Sequence, residues 1–113
     1  MEEHCKRGVF LKNEGRYEEA RLELEAALKV DEANAEAHRQ LGLVFEFLGL
    51  FEQAIEELAK SVFLDATNLS ARNDLALTYS MLGMSDAAKA EFEAVLLVDP
   101  NDETARKNIV YFK

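Results

Sequence analysis

The chain has 113 residues, of which 49% are hydrophobic and 31% charged, with five glycines and one proline. This balance is typical of one compact, mainly helical unit and argues against disorder. The formal net charge of −9 disfavours nucleic acid and anionic membrane surfaces as partners, because both repel an acidic protein.

The chain is built on a period of 34 residues. Two residue types recur at this interval, namely alanine at Ala20, Ala54 and Ala88, and glycine at Gly15, Gly49 and Gly83. The period divides the chain into three copies, residues 1–34, 35–68 and 69–102, followed by a remnant at 103–113. We expect these copies to stack into a single domain, because one copy alone could not bury its apolar face.

Each copy contains the spacing of two helices separated by a glycine. In the second copy, apolar residues at 41, 44, 45 and 48 follow the helical period, and a second helical set follows Gly49. Glycine suits a helix end because it adopts a left-handed conformation easily. Asn34, Asn68 and Asp102 stand where the next helix begins and are suitable N-caps. The remnant, with Ala105, Ile109 and Phe112 on one face, is predicted to be a closing helix.

These features resemble the tetratricopeptide repeat family. The resemblance rests on the period, the aligned alanines, and the segments Leu41-Gly42-x-x-Phe45, Leu75-Ala76-x-x-Tyr79 and Asp99-Pro100-Asn101. It covers the whole chain and implies an all-α fold, an α-solenoid of three tandem helix-turn-helix repeats plus a C-terminal capping helix, wound as a right-handed superhelix. It also implies that the first helices line a concave groove for peptides or partner proteins.

The family geometry implies which residues face this groove. Its apolar floor would consist of Val9, Leu43, Phe47, Leu77 and Met81. Its polar edge would consist of Lys12, Glu36, Arg39, Gln40, Glu46, Asn73 and Asp74. Such a groove predicts a scaffold or adaptor that binds an apolar or amphipathic segment of another protein. The open alternative is that the apolar side chains pack on one another or on the second helices as part of the core.

Family members that hold the acidic C-terminus of the large chaperones use a carboxylate clamp of lysine, asparagine and arginine side chains. In this sequence the corresponding places hold Cys5, Val9, Gln40, Ser70 and Asp74. The clamp is therefore absent, and Asp74 would repel a carboxylate terminus.

Candidates for chemistry are few. His4 and His38 both occupy the fourth place of a repeat, and Cys5 follows His4. However, consecutive helical residues point about 100° apart, and zinc usually needs four converging ligands. No nucleophile–base set or phosphate-binding glycine loop is present. We therefore predict a protein that is not an enzyme, with no catalytic residue, no metal and no cofactor.

The C-terminal residues support a second hypothesis for the function. Val110 and Tyr111 lie off the packing side of the predicted closing helix, so this hypothesis is self-assembly into a homo-oligomer through this helix and the apolar groove.

The sequence also predicts where the protein is located. No apolar run reaches the ~18 residues of a membrane-spanning helix, and the N-terminus lacks an export pattern. Because Cys5 is the only cysteine, a reducing compartment fits, and we expect a cytoplasmic protein.

Overall fold

The computed structural model describes residues 3–112 and places them in helices joined by short turns. In chain order the helices are α1 (Glu3–Asn13), α2 (Tyr17–Val30), α3 (Ala35–Phe47), α4 (Phe51–Leu64), α5 (Leu69–Met81), α6 (Ser85–Val98) and α7 (Glu103–Ile109). They confirm the predicted all-α solenoid of tandem helix-turn-helix units. The ends of the predicted domain, Met1, Glu2 and Lys113, lie outside the described residues.

The turn inside each helix pair depends on a glycine. Gly15, Gly49 and Gly83 have φ angles of 80°, 79° and 73°, which only glycine adopts without a steric cost. The chain can therefore reverse within a few residues, as the sequence predicts.

Side-chain caps begin the first helix of each later pair and α7. The side chains of Asn34, Asn68 and Asp102 accept hydrogen bonds from backbone N–H groups three residues later, at 3.0, 3.1 and 2.9 Å. These bonds satisfy donors that have no partner inside the helix. The predicted N-caps are confirmed.

Small residues allow the two helices of a pair to approach closely. The three aligned alanines are fully buried. Glycine occupies a second small position in the first two pairs, at Gly8 and Gly42. A Cβ atom added to Gly42 would lie 2.8 Å from Cγ of Leu58, and one added to Gly8 would lie 2.5 Å from Cγ of Leu24. The backbones of α1 and α3 therefore lie directly against leucine side chains of α2 and α4.

The seventh helix covers the last helix pair and is shorter than the remnant at 103–113. It ends at Ile109, and the N–H of Phe112 then donates to the Ile109 carbonyl at 3.0 Å in a tight turn. This turn brings the ring of Phe112 to 6.0 Å from that of Phe92, between centroids. Tyr111 is 78% exposed and Val110 is also exposed, as expected. Within residues 3–112, no helix is both long and apolar enough to cross a membrane.

Candidate functional site

The apolar residues predicted to form the groove floor differ in accessibility. Val9, Leu43 and Leu77 are partly buried, and Leu77 packs against the core cluster that contains Phe92. Phe47 and Met81, at the ends of α3 and α5, are 60% and 54% exposed. Leu77 therefore contributes partly to the core, whereas Phe47 and Met81 expose apolar surface to solvent.

Neighbouring helix pairs meet differently along the chain. Between the first two pairs, the ring of Tyr17 stacks on Phe47 with centroids 4.8 Å apart and planes within 6°. One period later the equivalent residues are Phe51 and Met81, and they border an open cavity of about 520 Å³. We call this space the junction cavity, and it is lined by Glu46, Phe47, Phe51, Asp74, Leu77, Ser80 and Met81.

An ion pair joins the second and third helix pairs beside this cavity. Arg39 Nε donates to Asp74 Oδ2 at 2.7 Å, and Arg39 Nη1 lies 3.8 Å from a Glu36 carboxylate oxygen. Burial raises the pKa of Asp74 above its usual value even though Arg39 acts in the opposite direction. The Asp74 carboxylate therefore already has a cation as its partner.

Glu46 lies on α3 with a different environment. Its Oε2 is 2.6 Å from the Thr78 hydroxyl, and that hydroxyl is also 2.8 Å from the Asp74 carbonyl oxygen. Burial raises the pKa of Glu46, the bond from Thr78 opposes this shift, and the nearby Asp74 carboxylate adds to it. Among the described residues, no lysine, arginine or histidine forms a salt bridge with Glu46.

Lys12 is the other charged residue predicted at the groove edge. It is partly buried on α1, and burial lowers its pKa, helped by the nearby guanidinium of Arg39 and opposed by Glu36 and Asp74. Lys12 therefore interacts electrostatically with the charged side chains of Arg39, Glu36 and Asp74. It is not among the residues that line the junction cavity.

In contrast to the expectation for the groove edge, Gln40 and Asn73 are buried. Asn73 is only 6% exposed, and its Nδ2 donates to Asp102 Oδ1 at 3.0 Å. The same Asp102 oxygen caps α7, so Asn73 connects α5 to the closing helix instead of facing a ligand. Sequence position alone could not reveal this, because α7 covers only the last helix pair.

The histidines have a structural role that the sequence analysis missed. The residue at the fourth place of each repeat contacts a glutamate nineteen residues later, in the pairs His4–Glu23 at 2.8 Å, His38–Glu57 at 2.6 Å and Arg72–Glu91 at 2.9 Å. The repeat alignment contains this signal, since a basic or imidazole group and a glutamate recur in register. Across residues 3–112, no three His, Cys, Asp or Glu residues cluster closely enough to hold a metal ion.

A second apolar surface lies outside the predicted groove. Phe63 and Leu97, near the ends of α4 and α6, are almost fully exposed. The residue after each of them, Leu64 and Val98, is also exposed, as is Val30 at the end of α2. These residues occupy the twenty-ninth and thirtieth places of the period, so aligning the copies could have identified this surface.

Two family models match the sequence. One, described as TPR repeat, matches residues 8–49, and another, described as Tetratricopeptide repeat, matches residues 69–102. Together they span more than half of the chain. Among curated proteins, none matches the sequence.

Solved structures of tetratricopeptide domains share the fold. The second such domain of human RPAP3, in complex with the HSP70 peptide SGPTIEEVD, is 25% identical with a TM-score of 0.88, covering 96% of this chain and 91% of that one. The second domain of Spaghetti (RPAP3), bound to the HSP90 peptide SRMEEVD, is 26% identical with a TM-score of 0.81, covering 86% and 90%. The Arabidopsis OM64 domain, 22% identical with a TM-score of 0.89 over 97% and 91%, shares the fold.

Proposed function

The chain belongs to the tetratricopeptide repeat family, and we propose that it is a non-catalytic scaffold that holds an apolar or amphipathic segment of a partner protein. The observation that carries this proposal is the junction cavity, where Phe47 and Met81 expose apolar side chains beside about 520 Å³ of open space. Concave apolar sites with a few polar groups are the usual form of a binding site.

The related domains support a peptide as partner, because two of them are described in complex with chaperone peptides. The chemistry of the ligand is proposed to differ. Of the places that form the carboxylate clamp in the family, Cys5 and Gln40 are buried here, and Asp74 is paired with Arg39. An acidic peptide terminus would therefore find no clamp.

We also propose a domain organisation, a class of partner and a cellular compartment. We propose one domain of three repeats, 1–34, 35–68 and 69–102, closed by the segment 103–113. The acidic net charge supports a protein partner over nucleic acid or a membrane surface. The buried free thiol of Cys5 is compatible with a reducing compartment such as the cytoplasm.

Capture of peptides from a random library tests the proposal. The parent protein is compared with Met81→Glu, which places a charge in the junction cavity, and with the control Leu97→Glu, which makes the same change on the exposed end of α6. We expect apolar or amphipathic peptides to bind the parent and the control but not Met81→Glu. Circular dichroism verifies that all three are folded. Equal binding by Met81→Glu would contradict the proposed site.

The alternative function is self-assembly through the predicted apolar groove and the C-terminal segment. The observation in its favour is the exposure of Val110 and Tyr111 immediately after α7. Sedimentation over a range of concentrations separates the two functions. A dimer that Tyr111→Glu dissociates would support self-assembly, whereas a monomer at every concentration would exclude it.

A further inference from the structure

We propose that the bound segment carries a lysine or arginine close to an apolar residue, so that the apolar side chain enters the junction cavity and the cation pairs with Glu46. This inference rests on the proposed function, because it names the chemistry of the ligand that the groove holds. It concerns a cationic partner segment, in contrast to the acidic peptides in the related complexes.

The first argument is the charge of the cavity lining. Only two charged side chains line it, Glu46 and Asp74, and both are acidic. Asp74 is neutralised by Arg39 at 2.7 Å, whereas Glu46 has no cation within salt-bridge distance anywhere in the described part of the chain. A partly buried carboxylate without a cation is costly, and a ligand that supplies the cation recovers this cost.

The second argument concerns the hydrogen bond that Glu46 does have. The Thr78 hydroxyl carries one hydrogen but lies within bonding distance of two acceptors, Glu46 Oε2 and the Asp74 carbonyl. When Thr78 donates to the carbonyl, the ionised Glu46 carboxylate has no protein donor left. An ammonium or guanidinium group is a donor as well as a charge, so it satisfies both needs.

The third argument is the distribution of cations along the groove. Lys12 and Arg39 lie together with Glu36 and Asp74, and neither cation is within salt-bridge distance of Glu46. The positive charges are therefore confined to one part of the groove and leave the cavity with Glu46 negative. The net charge of −9 also attracts a basic segment over longer distances.

The test is a double-mutant cycle on peptides selected from a random library. Peptides retained by the parent are sequenced, and a selected peptide is compared with a version in which its lysine or arginine is replaced by glutamine. Affinities are measured for the parent, for Glu46→Gln and for the control Glu56→Gln, which removes the same charge from an exposed position on α4. Glutamine can still accept from Thr78, so Glu46→Gln is expected to fold, which circular dichroism checks.

We expect basic residues to be enriched next to apolar residues in the selected peptides. Removing the peptide cation weakens binding to the parent and to Glu56→Gln by roughly tenfold, the size of a charge-assisted hydrogen bond, and has little effect with Glu46→Gln. Peptides that depend on Met81 but show no basic enrichment, or an equal loss with Glu46→Gln, overturn this inference and leave the proposed function intact. If no peptide depends on the groove, both fall.

Discussion

Substitution of Gly42 by alanine tests how closely α3 and α4 pack. A Cβ atom at this position would lie 2.8 Å from Cγ and 3.1 Å from Cδ2 of Leu58, and 3.2 Å from the Ala54 carbonyl oxygen. Leu58 is fully buried and the carbonyl belongs to the backbone, so neither can move aside freely. The third helix pair has Ala76 at the place of Gly42 and Phe92 at the place of Leu58, and both belong to one core cluster.

Two opposing effects determine the size of the change. Alanine gains about 1 kcal/mol over glycine inside a helix. Overpacking of a filled core costs about 1–3 kcal/mol. We therefore expect Gly42→Ala to lower the free energy of unfolding by about 1 kcal/mol, which corresponds to about 4 °C in Tm for a protein of this size.

Urea and thermal unfolding followed by circular dichroism measure this change. Ala90→Gly, at an exposed position inside α6, measures the helix-propensity effect alone and should lose about 1 kcal/mol. If Gly42→Ala is as stable as the parent or more stable, α3 and α4 can separate at little cost, and the argument from close packing is wrong.

Three further substitutions test individual interactions, each followed by urea unfolding. Glu46→Gln should increase stability at about pH 7, because burial raises the pKa of Glu46 and so penalises folding once the carboxyl ionises. The gain should vanish below about pH 4, where the carboxyl is protonated in both the folded and the unfolded state. A gain independent of pH would refute this reasoning. Asn68→Ala removes an N-cap and should cost about 1 kcal/mol, so an unchanged midpoint would show that the cap is dispensable. His38→Leu leaves the partly buried Glu57 carboxylate without its imidazole partner and should cost about 2 kcal/mol. His38→Leu combined with Glu57→Leu should recover part of that loss, and a double variant less stable than His38→Leu would contradict the pairing.

The elements of the fold follow from short-range patterns in the sequence. Helical spacing of apolar residues, a glycine with positive φ such as Gly49, and caps such as Asn34 act within a few residues of one another. The period of 34 then places the alanines where helices must approach. Each of these features depends on local geometry, which the order of residues determines directly.

The junction cavity, in contrast, depends on the tertiary structure. Tyr17 stacks on Phe47, but Phe51 and Met81 at the equivalent places leave a cavity. Asn73 is buried because α7 covers the last helix pair. Such differences depend on distances between residues of neighbouring pairs, which an alignment of repeats treats as identical. The sequence alone therefore determined the helices and their period, whereas only packing between pairs decided which side chains stay accessible and which charge lacks a partner.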